Sequence, residues 1–362
     1  GKVAGAATSK CLHGGGSFVW PLIQDYEFLD LEPLQIEIPL KAVDWSLTQL
    51  DRFLRSKNHE DLDAKKYEQW SPRGLTAAQW DQLIAWFYQV ANDGASIPIT
   101  ESKLRECEDM LKRMKKIWPQ YELDGDRNVW IVKPGDKSKG IGIEFVNKLD
   151  DIMKNIRDTT SGCYVLQKYV ERPLLVHKCK FDIRQWFLVT DWNPLTVWFY
   201  KESYLRICSQ EFSYDTMHEA VHLSNVAVQQ NYINGRRNSK IPDDNFMPCS
   251  DFKQMLADDG EYCGWDDVTY PGMKDAIVNV LLATQDITEN RKTAFELYGA
   301  DFILTEDYQP WLLEINSSPG MAPSSLAKAK LCAAVIDDTI KVVLDKRENR
   351  HSDTGNFELA FK

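Results

Sequence analysis

The stretch Asp301-Phe-Ile-Leu-Thr-Glu-Asp-Tyr-Gln-Pro-Trp-Leu-Leu-Glu314-Ile-Asn316 constrains the fold more than any other part of the chain. Apolar runs at 302–304 and 311–313 flank a polar turn, which predicts a β-hairpin. With the turn centred on Asp307 and Tyr308, Asp301 stands opposite Glu314, and directly opposed residues share a face. Asn316 lies two residues on and projects the same way. Two acids and an amide therefore converge at the open end of an otherwise apolar hairpin. Like charges placed opposite each other destabilise a sheet unless a cation lies between them. An all-oxygen donor set favours a hard ion such as Mg2+, whose shell usually includes water and substrate phosphates. A turn displaced by one residue would break this register.

Two other segments carry compatible chemistry. In Lys180-Phe181-Asp182-Ile-Arg184, alternation puts the three charged residues on one face and Phe181 and Ile183 on the other. Cross-strand ion pairing on a wet sheet face accounts for such a pattern. So does a site that grips triphosphate oxygens and orients an acceptor carboxylate, with Arg206, just after the next strand, as a bidentate clamp. In Val129-Trp-Ile-Val-Lys133-Pro-Gly135-Asp-Lys-Ser-Lys139-Gly140-Ile-Gly142, a strand ends in a lysine and enters a glycine-rich loop. It is neither a P-loop nor a dinucleotide fingerprint, because Ile-Gly follows Gly140 and no helix signal follows the loop. Its glycines can still bring backbone N–H groups to phosphates, with Lys133 and Lys139 supplying charge; a basic hairpin turn is the alternative. The three segments together point to ATP-driven activation of a carboxylate to an acyl phosphate, followed by nucleophilic attack.

The rest of the chain supplies the frame. Residues 20–119 read as mostly helical: Thr76 and Gln79 form a capping box ahead of Trp80, Leu83, Ile84 and Phe87, and Thr100 caps a helix with stripe Leu104, Cys107, Leu111, Met114 and Ile117, stopped by Pro119. That second helix holds a basic surplus, readable as a solvated face or as a docking surface for an acidic partner. Strands are expected at 129–132, 141–146, 165–170, 181–190 and 195–200, and helices at 147–157, 271–287 and 325–345. The stretch 231–264 reads as turn-rich, with a mobile loop at 234–240. Helices followed by strands make the fold class α+β. The expected divisions are a flexible leader (1–17), an N-terminal domain (18–124), a central part (125–210), a C-terminal part (211–346) and a polar tail (347–362). With 43 basic and 54 acidic residues the net charge is −11, which disfavours a general nucleic-acid or anionic-membrane binder. No stretch reaches the roughly 18 apolar residues of a membrane helix. The eight cysteines are scattered without a C-x-x-C pair and read as reduced thiols of a cytosolic protein. His218 and His222, the only i, i+4 histidine pair, read as structural.

At this point the residues resemble the tubulin–tyrosine ligase-like family, ATP-grasp amino-acid ligases that modify tubulin tails. The motifs Trp130-Ile-Val-Lys133-Pro, Ser138-Lys139-Gly140-Ile-Gly142, Gln167-Lys168-Tyr169-Val170, Lys180-Phe181-Asp182-Ile-Arg184, His222-Leu-Ser224-Asn225, Asp301 and Glu314-Ile-Asn316 occur in that family's order. The resemblance, over about 125–345, implies an ATP-grasp fold whose N-terminal, central and C-terminal subdomains surround a nucleotide cleft. It implies that Lys133, Lys139 and Gly140 hold phosphates and that Gln167, Lys168, Tyr169 and Val170 form the hinge strand meeting adenine. Lys180, Phe181, Asp182, Ser224 and Asn225 would complete the ATP pocket, and Asp301, Glu314 and Asn316 would bind Mg2+. Arg184 would approach the acceptor or γ-phosphate, and Arg206 the carboxylate of the incoming amino acid. Glutamate-adding members carry a tyrosine and a lysine where this chain has Val226 and Gln230, so the charged grip on a glutamate side chain is missing and glycine fits better. The segments 168–175 and 184–200 look most like the glycylase branch, the enzymes that place the first glycine on a tubulin glutamate. The implied partners are glycine and the acidic C-terminal tails of α/β-tubulin and microtubules. The implied setting is the cytoplasm and cytoskeleton, including the axoneme of a cilium or flagellum. A polyglutamylase, or a microtubule-binding module with a dead nucleotide site, are the alternatives.

Overall fold

The computed structural model describes residues 36–58 and 74–362, apart from 119, 122, 126, 136, 158–162, 261–262, 290 and 323–324. The leader expected at 1–17 and the stop expected at Pro119 lie outside the described residues. The chain divides into two compact units, one within 1–136 and 143–171, the other 137–142 with 172–362. Position 210, an expected boundary, falls near the end of a long strand inside the second unit.

The first unit opens with three helices, α1 (Lys41–Lys57), α2 (Ala77–Asp93) and α3 (Glu101–Ile117). The capping box on α2 is present: the Thr76 amide donates to Gln79 Oε1 (2.8 Å) and the Gln79 amide to Thr76 Oγ1 (3.3 Å). Thr100 caps α3 through the Lys103 amide. Val43, Leu47, Leu50 and Leu54 of α1 pack on Cys107, Leu111 and Met114 of α3, while Ala42 joins Leu83 and Phe87 of α2. Burial of each such side chain is worth about 1.5–3 kcal/mol, which is what holds short amphipathic helices together. The basic surplus of α3 is largely spent on neighbours. Lys103 pairs with Asp44 and Glu106, Arg105 with Glu101, Lys112 with Asp109, and Arg113 with Asp51. The solvated, ion-paired face is therefore the better of the two readings of this helix.

The chain then forms an antiparallel sheet of β1 (Trp130–Pro134), β2 (Glu144–Val146) and β3 (Tyr164–Lys168), ordered β2-β1-β3. Helix α4 (Leu149–Arg157) covers one face by packing Ile152 on Val132 and Val146.

The second unit is built on a larger antiparallel sheet. Its strands are β4 (Leu175–Val176), β5 (Cys179–Trp192), β6 (Leu195–Glu211), β7 (Phe246–Pro248), β8 (Glu296–Leu304), β9 (Pro310–Asn316) and β10 (Phe357–Phe361). The main path runs β10-β6-β5-β8-β9, with β4 on β5 and β7 on β6. Helices α5 (Glu219–His222) and α6 (Val226–Gln229) follow β6; α7 (Cys249–Asp258) and α8 (Tyr270–Thr284) precede β8; α9 (Leu326–Ile340) precedes β10. The odd-numbered side chains Phe181, Ile183, Phe187 and Val189 of β5 form an apolar core with Phe252 of α7 and Met273 and Ile277 of α8. The even face changes character along the strand. Trp186 and Leu188 join Cys332 and Val335 of α9 and Phe357 of β10, whereas Lys180, Asp182 and Arg184 make a buried charged patch.

Several expectations are revised. β6 runs to Glu211, so Arg206 lies inside a strand rather than after one. The segment 231–264 contains β7 and α7, and the loop at 234–240 is tied down: Arg237 reaches Pro242 O (2.8 Å) and Asn245 Oδ1, and Asn234 reaches Asp243 O. The polar run after 347 ends in β10, because the aromatic Phe357 finds Tyr200 across the sheet edge, ring centroids 4.8 Å apart.

Candidate active site

Strand β5 sits in the middle of the charged patch, and its neighbours bring in the partners. Arg184 is paired in register with Asp301 of β8, and Asp182 with Arg206 of β6. Arg184 donates from Nε to Asp301 Oδ1 (2.5 Å) and from Nη2 to Oδ2 (3.1 Å). Arg206 grips Asp182 in bidentate fashion, both bonds 2.6 Å, and its Nη2 also meets Asp301 Oδ2 at 2.9 Å. All four side chains are buried. The cross-strand ion pairing allowed for by the sequence is thus real, but the face is dry rather than wet. Burial opposes the charge of Asp301; Arg206 and then Arg184 outweigh it and hold the carboxyl below the usual carboxylate range. Burial likewise opposes the charge of Arg206, and Asp182 and Asp301 raise it well above its ordinary value.

Glu314 stands opposite Asp301, as the hairpin reading requires, though by a different route. The turn is one position tighter, with Leu304 opposite Pro310 and Phe302 opposite Leu312. A bulge between Asp301 and Phe302 then restores the register, leaving Leu313 unpaired. Asn316 joins the two acids: its Nδ2 lies 3.3 Å from Glu314 Oε1 and 3.5 Å from Asp301 Oδ2. This set of two carboxylates and one amide has the oxygen chemistry a hard divalent cation takes, with the exposed Glu314 the carboxylate not consumed by arginines. Across the described residues no three His, Cys, Asp or Glu side chains cluster as a metal site, so an ion held here would need the amide and substrate oxygens as well. Gly299 makes room for the arrangement. A Cβ there would lie 2.8 Å from Pro319 Cβ and 3.1 Å from Arg184 Cδ.

Lys180 is buried and donates to the His222 carbonyl at 2.9 Å. Burial pushes its pKa down. The histidines are structural, as expected: His222 Nε2 meets Thr216 O at 2.8 Å, and His218 Nδ1 accepts from the Ala220 amide. Gln229, which sequence reasoning missed, pins the segment, accepting from the Ser209 amide and donating to the carbonyls of Ala220 and Leu223. Ser224 is thereby buried and Asn225 half-buried. The loop 137–142 belongs to this unit, with positive φ at Lys139 (62°), Gly140 (81°) and Gly142 (74°). A Cβ on Gly140 would stand 2.6 Å from Val228 Cγ2, with Asn225 Oδ1 at 3.7 Å, so the loop lies against the Ser224–Asn225 segment. Val226 and Gln230 are both exposed.

In the first unit, Ile131 is paired with Gln167 and Lys133 with Val165, which puts Lys133 and Gln167 on one face of the small sheet, opposite α4. Lys168 points elsewhere. Its Nζ bonds Glu171 Oε1 (2.7 Å), Val129 O (3.1 Å) and Tyr169 O (3.3 Å). Glu171 in turn accepts from the amides of Arg127 and Val129. Tyr169 and Val170 are buried, Tyr169 edge-on to Phe145.

The model of the tubulin-tyrosine ligase family matches residues 76–351, which include every residue described above as a candidate ligand. This chain belongs to the tubulin-tyrosine ligase family. Among its relatives, human "Tubulin monoglycylase TTLL3" is 44% identical over 325 residues, covering 88% of this chain and 42% of the relative. The zebrafish (Danio rerio) protein of the same name is 46% identical over 330 residues, covering 90% and 42%. Mouse "Protein monoglycylase TTLL8" is 42% identical over 327 residues, covering 89% and 39%. The chain thus spans about two fifths of the length of these relatives. Within this ligase-family domain one buried cation escaped the sequence reading. Lys328, on the first turn of α9, carries no motif signal, since a lysine in an amphipathic helix reads as solvated.

Proposed function

We propose that this family member is an ATP- and Mg2+-dependent protein–glycine ligase that initiates monoglycylation of glutamates in tubulin C-terminal tails. The observation that carries the reading is the 44% identity, over 88% of the chain, to a relative named as a tubulin monoglycylase. The exposed Val226 and Gln230 support it, because neither offers the charge a glutamate side chain would need. In this reading the fold is an ATP-grasp fold with an N-terminal domain, a central subdomain at 125–210 and a C-terminal subdomain at 211–346. Lys133 and the Lys139–Gly140 loop hold phosphates, the backbone of 167–170 meets adenine, and Lys180, Phe181, Asp182, Ser224 and Asn225 complete the nucleotide pocket. Lys168 contributes by fixing the backbone of Val129 and Tyr169. Asp301, Glu314 and Asn316 hold Mg2+, which when bound neutralises phosphate charge.

An oxygen of the tail γ-carboxylate attacks the γ-phosphorus, forming the acyl phosphate and releasing ADP. The neutral amine of glycine then attacks the acyl carbon, phosphate leaves with the C–O bond pair, and the amine proton passes to solvent. Catalysis comes from positioning and charge neutralisation. Arg184 is assigned to the acceptor or γ-phosphate and Arg206 to the glycine carboxylate. Both are held rigidly by their bonds to Asp301 and Asp182. The proposed partners are microtubules and their acidic tails, and the proposed setting is the cytoskeleton of cilia or flagella.

Intact mass spectrometry of tubulin incubated with the protein, Mg-ATP and equimolar glycine and glutamate tests this. Addition of one glycine residue, abolished in Glu314→Gln, is expected. Addition of glutamate would overturn the reading of Val226 and Gln230. No added mass from a folded protein would leave a binding module with a dead nucleotide site.

A further inference from the structure

The buried charges of the second unit do not balance. Lys180, Arg184, Arg206 and Lys328 are each buried to nine tenths or more, against two comparably buried carboxylates in the same cluster among the described residues, Asp182 and Asp301; Asp338, also buried, lies at the far end of α9 on Tyr200 and Lys341. The two arginines consume both carboxylates. Lys180 has a backbone carbonyl. Lys328 is 6% exposed, and none of the ion pairs among the described residues includes it. It sits on the first turn of the 15-residue helix α9, behind the cap that Ser325 makes with the Lys328 amide (3.2 Å). Arg184 and Arg206 are the charged groups that act on it, with the Cys332 thiol one turn along the helix. Burial lowers the pKa of Lys328, Cys332 opposes the shift, and the two arginines add to it. A largely covered ammonium beside two guanidiniums is unfavourable unless an anion joins them.

We infer that Lys328 is an anion-binding residue of this active site, its ammonium meeting an oxyanion of a substrate beside Arg184 and Arg206. The chemistry fits a carboxylate or a phosphate, and the reaction proposed above supplies both: the carboxylate of the incoming amino acid and the phosphates of the nucleotide. The inference rests on that reading of the site and adds to it a residue that neither the motifs nor the strand pattern reveals.

The test uses the full chain with Lys328→Met and Lys328→Arg. Methionine keeps the length and apolar stem but removes the charge, so the variant is expected to melt no lower than the parent. At saturating ATP, a glycine KM raised about tenfold or more in Lys328→Met and restored to within about threefold in Lys328→Arg identifies the carboxylate. The same pattern in the ATP KM at saturating glycine identifies a phosphate. Both KM values unchanged in Lys328→Met, whatever happens to kcat, would overturn the inference. Thermal shift with glycine alone and with inorganic phosphate alone separates it from the functional reading. If the parent adds no glycine to tubulin, the function fails, yet stabilisation of the parent by either ligand, lost in Lys328→Met, still upholds the anion site. Equal stabilisation of parent and variant overturns it.

Discussion

Asp301 joins the buried ion network to the proposed metal site. It accepts from two buried guanidiniums and faces Glu314, so replacing it leaves Arg184 and Arg206 with surplus buried charge. Asp301→Asn is expected to lower unfolding free energy by about 3–5 kcal/mol in urea titrations, besides abolishing ligation. Glu314→Gln should behave differently: the side chain is exposed, so the midpoint of urea unfolding should barely move while ligation is lost. Asp124 titrates in the opposite direction to Asp301. Asp124 is buried and accepts from Trp118 Nε1 (3.1 Å), while its Oδ1 has no hydrogen-bond partner among the described residues. Burial pushes its pKa up to about 7, with Lys168 and the Trp118 bond pulling down and Glu171 pushing up. The unfolded chain releases this proton near pH 4, so its stabilising contribution is whole below that pH and is lost as pH rises through about 7. Asp124→Asn removes this loss. The difference in stability between parent and variant should therefore shift in favour of the variant by up to about 4 kcal/mol between pH 4 and pH 8.

At the scale of elements, capping and packing decide most of what the first unit does. Thr76→Ala removes the Oγ1 acceptor of the α2 capping box and should cost about 1 kcal/mol, read as a lower urea midpoint with unchanged slope. This box, the Thr100 cap and the apolar stripes of α2 and α3 were legible because they depend on residues within one or two turns of each other. The alternation of Lys180, Asp182 and Arg184 against Phe181 and Ile183 was legible for the same reason. The hairpin from β8 to β9 was legible in outcome rather than in detail. The turn is tighter than the sequence indicates, and only the bulge at Leu313 keeps Glu314 opposite Asp301. A bulge of this kind responds to packing on both faces of the sheet, which a local pattern does not encode. The three-residue strand β7 went unread because it has no period to display; α7 does carry one, Cys249, Phe252 and Leu256, but a short one inside a polar stretch.

At the scale of the molecule, β10 ties the end of the chain to the middle of it. Phe357 is buried between β6 and α9, and Asp338 of α9 accepts from the Tyr200 hydroxyl and the Asn356 amide, both at 3.0 Å. Phe357→Ala is expected to cost about 3–5 kcal/mol, since the residue closes the cluster that also contains Trp186 and Cys332. That cluster continues the face that carries Arg184, so the candidate active-site patch and the apolar seat of α9 are two halves of one sheet surface. The wrapping of α9 over this surface is also what buries Lys328.

The sequence by itself determined the ordered set of motifs, the faces of individual strands, the helix caps and the excess of acid over base. All of these follow from steric and hydrogen-bonding rules acting over a few residues. Which cations stay available, and which are consumed, was settled only in three dimensions. Arg184 meets Asp301 across 117 residues of chain, Arg206 meets Asp182 across 24, and α3 spends its basic side chains on acids of α1 and of its own turns. Charge pairing falls off steeply with distance and with exposure, so it belongs to the packed sheet and not to the order of residues along it.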